Sequence, residues 1–334
     1  MPDQIFLHLL IFSVALYGVM KGADWLIEGA GNLARHFRVS ELLIGLTIVA
    51  FGTSLPELVV SVNAAIQGNP ILAYANVIGS NITNILLILG CAAVVYPMTT
   101  SPEARRDLGF SFALVVGFFA ILIVTVFPLQ SPISARLDWW GGAILIAFFI
   151  TFIGRLFWQE MKSRKNPRTE AVSNEQAEEY NLGLLSLQIV VGLALVIIGG
   201  DFTVKSAVAM AQKLGVSEST IGLTIVALGT SLPELVASLV AAGKQKSDIA
   251  LGNILGSNIM NVALVLASSA MLSPFLIDFW GVIDMVIMTI VSLLFLGLLM
   301  KKNGPNISRQ TGGFFLILYV AYMLLIGMRS QLGA

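Results

Sequence analysis

The sequence predicts an all-α polytopic membrane protein of about ten transmembrane helices, folded as two inverted-topology repeats of five with broken helices at the centre. Three observations predict it. The 334 residues are 57% hydrophobic and 11% charged, where a soluble domain carries about 25% charge, and the mean hydropathy is +0.88. Apolar stretches long enough to cross a bilayer recur from end to end. One stretch is written twice: residues 45–58 read GLTIVAFGTSLPEL and residues 222–235 read GLTIVALGTSLPEL, differing only at Phe51 against Leu228. Each copy sets a proline and a glutamate inside sequence otherwise fit for lipid.

Composition also excludes several functions. The formal net charge is zero, so there is no basic footprint for nucleic acid. Cys91 is the single cysteine and lies in an apolar run, where it reads as packing. His8 and His36 are isolated, so they build no histidine metal site. The N-terminus lacks a basic n-region, and its apolar run passes Leu16 without a cleavage signal. It reads as a first span and not as a removed signal peptide. No cofactor and no obligate protein partner is implied; the expected partners are inorganic cations and the lipid bilayer.

The expected spans are Ile5–Ile27, Leu42–Ile66, Ile71–Tyr96, Leu108–Phe127, Trp139–Trp158, Leu184–Met210, Thr220–Ala242, Ile249–Leu272, Trp280–Met300 and Gly313–Met328. With the N-terminus outside, the inner connections hold Arg35, Arg38, Arg105, Arg106, Arg155, Lys162, Arg164, Lys165, Arg168, Lys244, Lys246, Lys301, Lys302 and Arg309. The outer side holds only Arg136, Lys213 and Arg329. That bias places both termini outside. Trp139, Trp140, Trp158 and Trp280 fall at span ends, as interface anchors do. The polar run 159–181 mixes both signs and reads as a cytoplasmic linker. It divides a first five-helix repeat, 1–158, from a second, 182–334.

A constant offset of 177 residues extends the repeat. It aligns Asp24 with Asp201, Ser40-Glu41 with Ser217-Glu218, Glu57 with Glu234, Ser61 with Ser238, and the run Asn76–Asn84 with Asn253–Asn261. Five spans per half is an odd number, so the second half enters the membrane the opposite way up. Opposed repeats point to alternating access, with a substrate site near the midplane where the halves meet.

The chemistry sits in the repeated stretches. Pro56 has no N–H to give the Gly52 carbonyl and disfavours helical geometry at Leu55. The second span should therefore split near Gly52–Pro56 and leave carbonyls without partners, which in a membrane persist only when buried in protein or lining a cavity. Ala50, Thr53 and Glu57 share one helix face and offer a carbonyl, a hydroxyl and a carboxylate. Ala227, Thr230 and Glu234 repeat them. Asn76, Ser80 and Asn84 share a face of the third span, answered by Asn253, Ser257 and Asn261 in the eighth. These are hard oxygens only, a set that suits calcium, sodium or magnesium over zinc or copper. Two carboxylates match one divalent ion or several sodium ions. A lone hydroxyl in a membrane helix usually bonds back to its own helix, and a kink alone is often mere packing. The same Pro-Glu pair at the same register in both halves argues for a site. Asp24 and Asp201 read as structural or gating ion pairs, with Lys21 and Lys205 in reach on their own helices.

Two copies of G-T-S-L-P-E (52–57 and 229–234), each followed by G-S-N-I-x-N (79–84 and 256–261), resemble the α-repeats of the calcium/cation antiporter superfamily, above all the prokaryotic sodium/calcium exchangers. The resemblance implies that Glu57 and Glu234 are central carboxylates shared by calcium and sodium, with Thr53 and Thr230 as oxygen ligands. It implies that Ser54, Ser231, Ser80, Ser257 and the carbonyls of Ala50 and Ala227 serve flanking sodium positions, and that Asn84 and Asn261 border the centre. The first and sixth spans would slide across a core of the other eight. The match departs from the family at Asn261, where several members carry an aspartate, so the centre holds two carboxylates and not three.

The expected activity is a secondary antiporter that exchanges Ca2+ for Na+. The alternative is an exchanger of the same fold coupled to protons, in which the two carboxylates share a proton when no cation is present. An intramembrane enzyme is disfavoured by the lack of H-E-x-x-H and G-x-S-x-G motifs. A channel is disfavoured by the lack of a carbonyl filter sequence.

Overall fold

The computed structural model describes residues 2–99, 109, 112, 116, 135–163, 181–215, 227–300 and 307–331. The helices among them are α1 (Pro2–Phe37), α2 (Glu41–Thr53), α3 (Leu55–Ile66), α4 (Pro70–Val95), α5 (Trp139–Ser163), α6 (Leu182–Lys213), α7 (Leu232–Gly243), α8 (Ser247–Leu272), α9 (Phe279–Leu299) and α10 (Arg309–Gln331). A single turn, Ala227–Gly229, precedes α7. Among the described residues, seven helices are long and apolar enough to cross a membrane, and the bent pair α2–α3 makes an eighth. The expected fourth span, Leu108–Phe127, lies outside the described residues except at 109, 112 and 116. The opening of the seventh, Thr220–Val226, the Ser217-Glu218 pair and most of the linker 159–181 also lie outside them.

Helix α1 runs on to Phe37, past the expected end at Ile27. After Ile27 the sequence loses mean hydropathy but keeps a stripe: Ala30, Leu33 and Ala34 are buried while Arg35 is exposed. That spacing continues a helix face although it no longer reads as a span. The helix stops at Arg38, whose φ of 53° is left-handed, and the Val39 N–H closes back on the Ala34 carbonyl at 2.9 Å. The four described residues with positive φ are Arg38, Gly68, Gly215 and Gln245. They form two pairs, Arg38 with Gly215 and Gly68 with Gln245, each at the repeat offset. The backbone thus repeats its helix stops even where the residue type changes.

The expected break in the second span is present: α2 and α3 meet at 46°. Ser54 at the joint has φ −84° and ψ 5°, and Ser231 at the joint before α7 has φ −86° and ψ 5°. Pro56 and Pro233 stand in the first turn of α3 and α7, where a missing N–H costs nothing.

Burial separates helices that hydropathy does not. The apolar window of α8 is 94% buried and that of α4 78%, against 11% for α1. So α4 and α8 form the core, and α1 and α6 pack together at its flank. Close approach makes the α1–α6 contact. A Cβ on Gly22 of α1 would stand 2.6 Å from the Gly192 carbonyl of α6, and one on Gly192 would stand 2.7 Å from the Gly22 carbonyl. Small residues serve this purpose where lipid offers no hydrophobic drive between helices.

Strand β1 (Ala135–Leu137) pairs antiparallel with β2 (Phe275–Ile277), and Met98 forms a bridge with Ile307. Met98 and Phe275 are 177 residues apart, so these pairings are repeat images. They lie at opposite ends of α4. Tyr74, near its start, donates to the Gly281 carbonyl at 2.7 Å and packs against Phe275. Val94, near its end, accepts from Arg309 Nε at 3.1 Å. A helix of that length spans about 40 Å at about 1.5 Å per residue.

Candidate functional site

Four core segments, the α2–α3 joint, α4, the joint before α7, and α8, bring their polar faces to one centre. Glu57 and Glu234 are 0% and 1% exposed. The Ser54 hydroxyl donates to Glu234 Oε1 at 3.0 Å, and its repeat mate Ser231 donates to Glu57 Oε1 at 3.4 Å. Each joint therefore holds the carboxylate of the opposite half. The Ser80 hydroxyl lies 3.2 Å from Ser231 Oγ, which can accept from it while donating to Glu57. Ser257 lies beside Glu234.

The rest of the network is doubled in the same way. Thr53 donates to Asn253 Oδ1 at 3.0 Å, and Thr230 to Asn76 Oδ1 at 3.3 Å. Asn253 Nδ2 donates to Ser238 Oγ at 2.9 Å, and Asn76 Nδ2 to Ser61 Oγ at 3.0 Å. A hydroxyl that donates to an asparagine keeps its lone pairs free for a cation. Asn84 Nδ2 donates to Asn258 Oδ1 at 2.9 Å, and Asn261 Nδ2 to Asn81 Oδ1 at 3.1 Å.

Oxygens without partners remain at this centre. Glu57 Oε2, Glu234 Oε2, Asn84 Oδ1, Asn261 Oδ1 and Ser257 Oγ are buried and accept or donate no hydrogen bond. Leaving one buried polar group unpaired costs about 1–3 kcal/mol, and more for a charged one. Ion pairs among the described residues include Lys205 with Asp201, Lys244 with Asp24 and Glu28, Lys246 with Glu41, and Arg329 with Asp284. None reaches Glu57 or Glu234. Among the described residues no group of three or more His, Cys, Asp or Glu side chains is poised to hold a metal. The centre is therefore two carboxylates set among neutral oxygens, chemistry suited to hard cations.

The structure thus gathers Glu57, Glu234, Thr53, Thr230, Ser54, Ser231, Ser80, Ser257, Asn84 and Asn261 into one region. The Ala50 carbonyl does not fit the freed group expected from the break. It accepts the Ser54 N–H at 3.0 Å and has the Thr53 hydroxyl 3.3 Å away. The bend begins one residue too late to release it. Ala227 opens the turn before Thr230. Asp201 pairs with Lys205 on its own helix at 2.7 Å as expected, but Asp24 pairs across to Lys244 at 2.6 Å and not with Lys21.

Sequence reasoning missed Asn81 and Asn258. They stand next to Ser80 and Ser257, off the face drawn through Asn76, Ser80 and Asn84. Their presence in both copies at the same offset was the signal that could have found them. It also missed the π-helical turns at Gly45–Val49, Asn84–Ile88 and Asn261–Leu266. Two of these begin at the asparagines that border the centre, and such widened turns often occur at functional sites.

Known proteins are similar to this chain over nearly its whole length. The family model described as sodium/calcium exchanger protein matches residues 7–158 and 184–328. The inner membrane protein YrbG of Escherichia coli (strain K12) is 35% identical, over 94% of this chain and 96% of that protein. The sodium/calcium exchanger MaX1 of Methanosarcina acetivorans is 32% identical, over 97% and 99%. The solved structure of the sodium-calcium exchanger NCX_Mj soaked with zero Na+ and Ca2+ superposes with a TM-score of 0.79 at 31% identity, covering 96% of this chain and 99% of that one. With both repeats, the joints and the spans between them inside the match, the chain belongs to the sodium/calcium exchanger protein family of membrane transporters.

Proposed function

We propose that the chain is a secondary active antiporter that exchanges Ca2+ for Na+ by alternating access, using one central site that both ions share. The observation that carries this reading is the set of five buried oxygens without partners around two carboxylates that, among the described residues, meet no basic side chain in the ion pairs found. Glu57 and Glu234 supply the charge. Thr53, Thr230, Ser54, Ser231, Ser80, Ser257, Asn84 and Asn261 supply neutral oxygens, joined by the carbonyls of Ala50 and Ala227; that of Ala50 is the least available. Either cargo fills the same oxygens, so both cannot be held at once. Without cargo, two buried carboxylates oppose the change of access; with cargo the obstacle is removed. That difference couples the two fluxes.

The same reading takes the fold to be ten spans in two opposed halves, 1–158 and 182–334, with the 159–181 linker in the cytoplasm and both termini outside. Repeat images at opposite ends of α4 support it, as does the basic bias of the connections. A prokaryotic plasma membrane fits the relative named as an inner membrane protein.

Two measurements test the proposal. Glu57→Gln and Glu234→Gln should each abolish calcium flux in vesicles while the protein stays folded and monodisperse; normal flux in either removes the site assignment. In inverted vesicles a sodium gradient should drive calcium uptake. Uptake driven by a pH gradient in sodium-free buffer, with none from sodium, would instead make the protein a proton-coupled exchanger using the same cage.

A further inference from the structure

The orientation of two site amides is set from outside the site. Asn81 Nδ2 donates to the main-chain carbonyl of Asn258 at 3.3 Å, and Asn258 Nδ2 donates to the main-chain carbonyl of Asn81 at 3.4 Å. A carbonyl can only accept, so each of these amides is fixed with its nitrogen toward the opposite backbone. Its Oδ1 must then face the other way, and there it accepts. Asn258 Oδ1 takes the Nδ2 of Asn84, and Asn81 Oδ1 takes the Nδ2 of Asn261. With their nitrogens engaged, Asn84 and Asn261 present their oxygens, which are the two amide oxygens left without partners. All four residues are at most 3% exposed, so water does not compete for these bonds.

We propose that Asn81 and Asn258 are positioning residues that set the cation affinity of the centre by locking Asn84 and Asn261 with the amide oxygen, and never the amide NH2, toward the cargo. The inference rests on the reading of the centre as a cation cage. An unlocked amide can turn by half a rotation at little steric cost. It then replaces an acceptor with two donors at the position a cation needs. The lock also specifies a neutral side chain at 84 and 261, because Asn258 Oδ1 and Asn81 Oδ1 require a donor opposite them. It is crossed between the halves: Asn258 in α8 orients Asn84 in α4, and Asn81 in α4 orients Asn261 in α8.

The test is calcium binding to the detergent-purified full chain by titration calorimetry. Asn258→Leu keeps the shape and removes both ends of the lock, and should raise the dissociation constant about tenfold, the change expected for one lost hydrogen bond of ordinary strength. In an Asn84→Ala background the same substitution should have no further effect, whereas in an Asn261→Ala background it should keep its full effect. Asn81→Leu should show the converse pattern. A merely structural role would lower affinity equally in both backgrounds, and that result overturns the proposal. So does unchanged affinity in both Leu variants while Glu234→Gln abolishes binding. Retained binding in Glu234→Gln overturns the cage itself, a separate failure. Should Asn258→Leu not yield monodisperse protein, Asn258→Ser, too short to reach Asn84, takes the same comparison.

Discussion

Ser54 and Ser231 show what a single side chain does at this centre. Each sits at a helix joint and gives its one proton to the carboxylate of the other half. Removing the Ser54 hydroxyl leaves Glu234 with neither oxygen paired among the bonds described, at a cost of about 1–3 kcal/mol. A cation would satisfy the same oxygens. Ser54→Ala should therefore lower the melting temperature in chelator, and calcium should narrow the gap to the parent protein, because ligand binding stabilises the folded form. A gap that calcium does not change would show that the serine acts on packing alone. The helix face that carries Glu57 was legible from spacing, and the pairing of Ser54 with the distant Glu234 was not. A face is a local property of the chain, whereas the partner depends on how the two halves dock. Asn81 and Asn258 were missed for the same reason, since their partners are each other's main chain.

At the scale of elements, the crossing of α2 on α8 positions the first joint. It depends on backbones in contact: a Cβ at Gly252 would meet the Leu42 carbonyl at 2.8 Å, and one at Gly256 would meet the Leu46 carbonyl at 2.7 Å and the Ala50 Cβ at 2.6 Å. Backbone cannot step aside as a side chain can. Gly256→Ala should cost about 1–3 kcal/mol and reduce flux, although Gly256 offers no ligand. Its repeat mate Gly79 meets nothing within 4 Å. There Gly79→Ala should be neutral or stabilising by up to about 1 kcal/mol, from helix propensity. Thermal unfolding of the two purified variants checks the contrast. The sequence shows both glycines in the same motif and cannot rank them. The break at Pro56 and Pro233 was legible because proline acts on its own helix. The π-helical turns were not, because nothing in the local residues of Gly45–Val49, Asn84–Ile88 and Asn261–Leu266 marks a widened turn off from an ordinary one.

For the whole molecule, contacts sort the connections onto two ends. At one end Lys244 pairs with Asp24 and Glu28 and Lys246 with Glu41, Ser40 reaches Glu160, and Met98 bridges to Ile307. At the other, β1 pairs with β2, and Arg329 grips Asp284 with both nitrogens while lying over Trp280. Among the described residues these lysine ties to α1 and α2 have no repeat image at the other end, since the repeat positions of Lys244 and Lys246 are Gln67 and Asn69. Being partly exposed, each such pair contributes about 1 kcal/mol or less; their lysines matter more as topology signals, because basic connections stay in the cytoplasm. The prediction is that the first end faces the cytoplasm. In a Cys91→Ala background, Leu276→Cys in β2, exposed at 62%, should react with a membrane-impermeant maleimide in intact cells. Lys162→Cys, at the exposed end of α5, should react only after permeabilisation. The reverse pattern would invert the molecule in the membrane and exchange the roles of its two ends, while leaving the central cage untouched, because the repeat builds that cage from both halves alike.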